Sequence, residues 1–258
     1  VIHLWDRECS LQRRHQKVVE EAPVLSLPQA LRERLWASAV ALGRASQYLG
    51  LGTVEFAVLG DEAVFLEVNP RLQVEHPVTE AVTGLDLVAL QLATVAEGRL
   101  PLTQAQVPAP RGVAVQARLY AEDPARGFMP ACGELLVFAE PPATLARTDA
   151  GVASGDPITP HYDPMVAKLI AHGNDRPAAL ARLREALQQT TVLGVANNRA
   201  FLMDLLAHPA VAANEVHTEF IDGWLADWQS GAGCPAPTGA DMAAAVAGWL
   251  WHTRAADA

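Results

Sequence analysis

Between Thr53 and Glu80 the chain carries carboxylates, amides and a guanidinium at a spacing that could hold ions. Thr53–Leu59 and Ala63–Asn69 are rich in apolar and β-branched residues, and with Gly60-Asp61-Glu62 between them they predict a hairpin with a three-residue loop. That loop places Glu55 directly opposite Glu67. Side chains alternate along a strand, so Glu67 and Asn69 share a face, and continued extension would add Arg71, Gln73 and Glu75 to it. Two carboxylates facing across a ladder repel each other. Such a pair is tolerated on a solvated edge or with a cation between its members, and the pattern alone admits both readings. As a cation site, two Glu and an Asn oxygen form a hard-oxygen set suited to Mg or Mn bound together with phosphates. Neither a His/Cys ligand cluster nor a Gly-x-Ser-x-Gly elbow competes with it.

The rest of the chain must position these groups. Of its 258 residues 50% are hydrophobic and 19% charged, enough for one large or two small domains with a core. Lys+Arg 19 against Asp+Glu 29 leaves a formal charge of −10, which rules out an overall electrostatic footprint for nucleic acid. The three cysteines (Cys9, Cys132, Cys234) are scattered, which argues for a reducing compartment and against a disulfide scaffold or a zinc ribbon. No apolar run reaches the roughly 18 residues of a membrane span, and no signal peptide opens the chain. A cytoplasmic protein without membrane or nucleic-acid partners is expected.

Val1–Trp5 reads as a strand; since the chain starts there without Met, it reads as beginning inside a domain. Residues 6–25 are polar and irregular, with a basic cluster of Arg13, Arg14, His15 and Lys17. A helix is predicted over 28–49, with Pro28 in its first turn and Gly50 as its stop. Residues 77–98 predict two helices broken at Gly84, and Pro101, Pro108 and Pro110 mark a connector. Beyond it Val113–Tyr120, Glu134–Ala139 and Val166–His172 predict strands. Helices follow at 176–189, with Asp175 as N-cap, from Asn198 to Ala213, and around Glu219–Trp228. Ser230–Gly239 is linker-like, and Met242–Arg254, with Trp249 and Trp251, predicts a final apolar helix that serves as core or as a docking element. The class is α+β.

Glu67-Val68-Asn69-Pro70-Arg71 at the end of a hairpin, with Glu55 upstream, resembles the metal-binding end of the ATP-grasp fold. The continuation Arg71-Leu72-Gln73-Val74-Glu75-His76-Pro77-Val78-Thr79-Glu80 resembles biotin carboxylase, as does the stretch from Cys9 to Pro23 with its Gln12-Arg13-Arg14-His15-Gln16-Lys17 core. Arg118-Leu119-Tyr120-Ala121-Glu122-Asp123-Pro124 and Tyr162-Asp163-Pro164-Met165 add two collinear matches. Glu67–Arg71 alone would also suit carbamoyl-phosphate synthetase-like ligases.

The resemblance implies the C-terminal half of an ATP-grasp domain over 1–107, an antiparallel sheet with helices holding the metal and bicarbonate site. It further implies the β-rich and helical C-terminal domain of biotin carboxylase over 108–226, then a linker and first helix of an adjoining region over 227–258. The implied reaction is ATP-dependent formation of carboxyphosphate from bicarbonate, then carboxylation of biotin carried by a partner. By the same resemblance Glu55, Glu67 and Asn69 would hold Mg or Mn, and Gln12 and His15 would contact ATP along with the two glutamates. Lys17, Arg71 and the Val74 backbone would bind bicarbonate, Glu75 would be the general base with Lys17 and Arg71 favouring its ionised form, and Arg118 would stabilise the biotin enolate. A biotin carboxyl carrier domain, a carboxyltransferase subunit and a second copy of the chain are the implied partners. Each assignment has a plainer counterpart: Lys17, Arg13 and Arg14 as surface charges, His15 as structural, His76 as a turn residue, Asp163 as a turn cap rather than active-site support. The sequence departs from the family in having no Gly-rich phosphate loop and no lysyl-biotin motif. It therefore reads as the C-terminal part of a biotin carboxylase, inactive in isolation, with another ATP-grasp ligase or a non-catalytic assembly element as alternatives.

Overall fold

The computed structural model describes residues 1–230. A short hairpin, β1 (Gln12–Arg13) and β2 (Gln16–Lys17), leads into β3 (Val19–Ala22), α1 (Gln29–Ala45) and the hairpin β4 (Thr53–Leu59) and β5 (Glu62–Asn69). Helices α2 (His76–Thr83) and α3 (Leu87–Glu97) precede β6 (Val113–Tyr120). Short strands follow: β7 (Glu122–Asp123), β8 (Met129–Pro130), β9 (Gly133–Glu134), β10 (Val137–Ala139), β11 (Arg147–Ala150) and β12 (Pro157–Ile158). The order closes with β13 (Met165–Gly173), α4 (Arg176–Gln189), β14 (Thr191–Leu193), α5 (Arg199–Ala207), α6 (Pro209–Ala212) and α7 (Phe220–Ser230). Val1–Phe220 forms one unit and a second begins at Ile221. The expected 230–239 linker and 242–254 helix lie outside the described residues, apart from Ser230, which ends α7.

The centre is a four-stranded antiparallel sheet in the order β11-β13-β6-β3. All of β6 is buried, as befits a strand with neighbours on both sides and cover on both faces. Alternation sorts its side chains. Val113, Val115, Ala117 and Leu119 take one face, toward α4, whose Arg176 reaches Glu21 of β3 there. Ala114, Gln116, Arg118 and Tyr120 take the other. On this second face Ala22, Ala114 and Ile170 form an apolar patch packed under Val78 and Val82 of α2. Beside that patch the same face turns polar: Glu20 pairs with Gln116 and Lys168 with Arg118 across the ladders.

Several expectations change. Val1–Trp5 is not a strand; its Trp5 has φ 67° and donates from Nε1 to Pro108 O at 2.7 Å. The 6–25 segment is not irregular throughout, since it supplies β1, β2 and β3. Helix α1 stops at Ala45, well before Gly50, because the chain turns left-handed at Gln47 (φ 52°). The predicted 134–139 strand is two short ones, and the 198–213 helix is broken by Pro209. The halves of the 77–98 pair, the strands at 113–120 and 165–173, and the Asp175-capped helix form where the sequence placed them.

Candidate active site

The hairpin that carries Glu55 and Glu67 does not have the expected three-residue loop. Leu59 pairs with Glu62, so the turn is only Gly60-Asp61, with Gly60 at φ 60°, where a residue lacking Cβ costs least. Pairing then runs to Phe56↔Phe65 and slips by one to Glu55↔Glu67. The slip is a β-bulge at Leu66, an extra residue on one strand. Two departures cancel, and the two glutamates face each other as the longer loop would have had them. The apolar side chains Leu59, Val64, Phe65 and Leu66 of the hairpin are exposed.

Mutual repulsion of Glu55 and Glu67 is relieved by one amide: Asn69 Nδ2 donates to Glu67 Oε1 at 2.8 Å and to Glu55 Oε1 at 3.1 Å. Lys17 Nζ and Gln73 Nε2 add bonds to the same Glu55 oxygen at 2.7 and 2.8 Å. Among the described residues none donates to the second oxygen of either carboxylate. Two open carboxylate oxygens on one face, beside an amide that can turn its oxygen inward, fit a hard divalent cation.

The backbone does not stay extended past Asn69. Arg71 N donates to Asn69 O at 2.9 Å, the chain turns, and Glu75 becomes the residue before α2. The expected straight line of polar side chains is therefore bent, yet the bend buries Gln73 and Glu75 and returns both toward Glu55 and Lys17. Arg71 does not join them. It is exposed, with Nη1 on Leu72 O at 3.1 Å and Nη2 on Asn69 Oδ1 at 3.5 Å. Arg71 is thus not the cation beside Glu75.

Glu75 instead divides its carboxylate between Lys17, which donates to Oε1 at 2.8 Å, and Arg118, which donates to Oε2 at 3.1 Å. Burial alone would raise its pKa, but the Lys17 hydrogen bond and charge, with Arg7 adding to them, hold it below the usual value of 4.5. Lys17 is pushed the other way: burial lowers its pKa, and Cys9, Glu55 and Glu75 more than offset that. Arg118 also donates from Nε to Glu20 Oε1, and Gln116 Nε2 reaches Glu20 Oε2 at 3.0 Å. Burial raises the Glu20 pKa, and Arg118 opposes it. Val74 lies between these groups. Its carbonyl accepts from Lys168 Nζ at 2.9 Å, and no described residue accepts from its N–H.

The other assigned residues sit on the β1–β2 hairpin. Gln12 pairs with Lys17 across it and donates from Nε2 to Cys9 O at 2.8 Å. His15 is exposed at its tip, where Arg14 and His15 (φ 50° and 64°) make the two-residue turn, and no bond ties it to the carboxylate cluster. Arg13 is no surface charge: it is buried against Glu122 at 2.8 Å with its guanidinium over Phe128. His76 opens α2 and holds Gln73 O through Nδ1 at 2.8 Å. Asp163 accepts from Met165 N at 2.9 Å, as a turn cap does.

The sequence missed Glu20 and Arg7 as members of the site, and it set Gln73 on the polar face without a role. Arg7 bonds Gln73 Oε1 (2.7 Å), Thr53 Oγ1 (2.9 Å) and Thr79 Oγ1 (3.1 Å), and so ties the N-terminal segment to β4, the turn and α2. Gln73 offered a signal, lying between Arg71 and Glu75 in the motif.

Comparison with known proteins finds two family matches along the chain. Residues 1–103 match the family described as carbamoyl-phosphate synthase L chain, ATP binding domain, and residues 116–223 match the biotin carboxylase C-terminal domain. The mitochondrial methylcrotonoyl-CoA carboxylase subunit alpha of Mus musculus is 46% identical over 222 residues, 85% of this chain and 31% of that protein. The biotin carboxylase of Halalkalibacterium halodurans is 46% identical over 226 residues, 87% of this chain and 50% of that one. The chain thus spans a third to a half of such relatives. Among solved structures, the urea carboxylase of Kluyveromyces lactis matches with a TM-score of 0.82 and 41% identity, covering 86% of this chain and 20% of that one. The biotin carboxylase domain of a thermophilic 2-oxoglutarate carboxylase bound to bicarbonate matches with a TM-score of 0.83 and 34% identity, covering 86% and 50%.

Proposed function

The chain belongs to the biotin carboxylase family, and on that premise we propose that it supplies the bicarbonate and biotin side of a biotin-dependent carboxylase. The observation that carries this reading is the Glu75 carboxylate shared by Lys17 and Arg118. A general base must be ionised before the reaction and close to the anion it serves. Lys17 meets both needs, since its charge favours ionised Glu75 and would attract bicarbonate to the same point.

The free Val74 N–H supplies a donor for that anion, and Arg71, once released from Leu72 O, could add a planar fork to it. Bicarbonate arriving at Lys17 would take a share of the ammonium charge, so Glu75 would gain proton affinity as its partner is diverted. The anion, its proton passed to Glu75, would attack the γ-phosphorus of ATP, forming carboxyphosphate as the bond to the leaving ADP breaks. Glu55, Glu67 and Asn69 would hold Mg or Mn, which when bound neutralises charge on the transferred phosphoryl group. Gln12 and His15 would contact the nucleotide. Arg118, already fixed by Glu20 and Glu75, would donate to the ureido oxygen of biotin as negative charge develops there.

In this reading residues 1–107 contribute the metal and anion groups and strand β3, and 108–226 contribute Arg118 and the other three strands of the sheet behind it. A biotin carboxyl carrier domain would deliver biotin, a carboxyltransferase subunit would consume carboxybiotin, and a second copy of the chain would pair with the first; the compartment proposed is the cytoplasm. The test is bicarbonate-dependent ATP cleavage by the full-length enzyme carrying this sequence, with and without free biotin. Stimulation by biotin is expected, and cleavage indifferent to both compounds would overturn the reading. The 258-residue polypeptide by itself, which contains no Gly-rich phosphate loop, is expected to be inactive in the same assay.

A further inference from the structure

We propose, building on the biotin carboxylase reading above, that Lys168 is a positioning residue for bicarbonate, acting through the Val74 carbonyl. Lys168 comes from β13, far in sequence from the Thr53–Glu80 stretch. It stands in a row across the sheet, with Asp149 of β11 as one cross-strand partner and Arg118 of β6 as the other. Its Nζ bonds Val74 O at 2.9 Å and pairs with Asp149 Oδ2 at 3.2 Å.

The consequence lies in the geometry of the peptide. In a trans peptide the C=O and the following N–H point in opposite directions. The Gln73–Val74 peptide is held at its oxygen by His76, through N at 3.3 Å and Nδ1 at 2.8 Å, which aims the Val74 N–H away from α2. The Val74–Glu75 peptide is held at its oxygen by Lys168, which fixes the base from which the Glu75 side chain projects. Two successive carbonyls are clamped, one by the helix start and one by the sheet. Between them lies the free N–H of Val74, and beyond it Glu75.

A second observation explains why a lysine can do this. Lys168 lies directly opposite Arg118, and two cations on adjacent strands repel. Each is held by its own acceptors, Arg118 by Glu20 and Glu75, Lys168 by Asp149 and the Val74 carbonyl. Burial lowers the Lys168 pKa, and Asp149 opposes that shift. Lys168 thereby couples the sheet that carries Arg118 to the turn that carries Glu75 through the Val74 carbonyl.

The experiment measures bicarbonate-dependent ATP cleavage by the full-length enzyme carrying Lys168→Met, Lys168→Arg or Asp149→Asn, with KM determined separately for bicarbonate and ATP. Loss of one hydrogen bond that positions a binding group should raise the bicarbonate KM of Lys168→Met about tenfold. The ATP KM should stay within about twofold, because uniform damage would move both. Lys168→Arg should recover most of the bicarbonate effect. Asp149→Asn, which keeps the lysine but weakens its orientation, should give a smaller shift of the same kind, and it decides the matter if Lys168→Met does not fold. Parallel changes in both constants, or none, would overturn the positioning role while leaving the family reading intact. A wild-type enzyme without bicarbonate-dependent cleavage would overturn the reading, and the role of Lys168 with it.

Discussion

Arg118 and Glu75, 43 positions apart in the chain, meet at 3.1 Å through Nη2 and Oε2, while Lys17 holds the other oxygen of Glu75 at 2.8 Å. The carboxylate is therefore the junction of three segments: the β1–β2 hairpin, the turn before α2, and the central strand β6. Its two oxygens answer to different cations, which offers a way to separate the two half-reactions.

Arg118→Ala should cripple biotin carboxylation while leaving more of the biotin-independent ATP cleavage, because Lys17 still holds Glu75 ionised. Losing one electrostatic donor of this kind costs about 10²–10³ in rate. Glu75→Ala should damage both activities. Assaying ADP release and carboxybiotin formation side by side checks the division, and equal loss of both activities in the two variants would refute it.

Glu67→Gln removes one formal charge from the face shared with Glu55 and Asn69. The Mg concentration for half-maximal ATP cleavage should rise by about ten- to a hundredfold, the range seen when groups supporting a metal site are altered. A Mg titration at saturating ATP gives the answer, and an unchanged requirement would move the metal elsewhere.

The Glu75 pKa lies below 4.5 in the folded chain, so its ionised form contributes stability. That contribution is present above about pH 4.5 and is lost as pH falls through the folded pKa. Thermal midpoints between about pH 6 and pH 3 should therefore fall less in Glu75→Gln than in the wild type. Identical acid limbs would show that Glu75 is not held by its cations in solution.

Arg176 and Glu21 are both buried and joined by two bonds of 2.7 Å on the face of the sheet opposite the site. Removing one partner of such a pair strands the other's charge. Glu21→Leu should cost about 3–5 kcal/mol in urea unfolding. Replacing both residues by apolar ones should recover much of it, and a single variant as stable as the wild type would show that the pair is solvated.

What the sequence made legible, and what it hid, follows from which groups are buried. The hairpin, α2, α3, β6, β13 and α4 were readable because apolar spacing and caps mark them. Strand β3 was not, because Val19-Glu20-Glu21-Ala22 looks like a solvated segment. It is buried throughout, with Glu20 against Arg118 and Gln116 on one face and Glu21 against Arg176 on the other. Arg13 was misjudged as a surface charge for the same reason: Glu122, which neutralises it, is 109 positions away. The opposition of Glu55 and Glu67 was legible, although the route to it was not, since no residue type announces the bulge at Leu66.

The alternation along β6 has a genetic corollary. Val113, Val115, Ala117 and Leu119 line the face toward α4, whereas Gln116 and Arg118 belong to the polar cluster. In a saturation scan of the eight codons from Val113 to Tyr120, lesions on the α4 face would lower abundance and respond to cooler growth, as defects of folding do. Lesions at Gln116 and Arg118 would leave more protein in the cell, and cooling would not rescue them. Temperature sensitivity would thus come and go with a two-residue beat from Val115 to Leu119, whereas Ala114, in the apolar patch under α2, would behave like the α4 face.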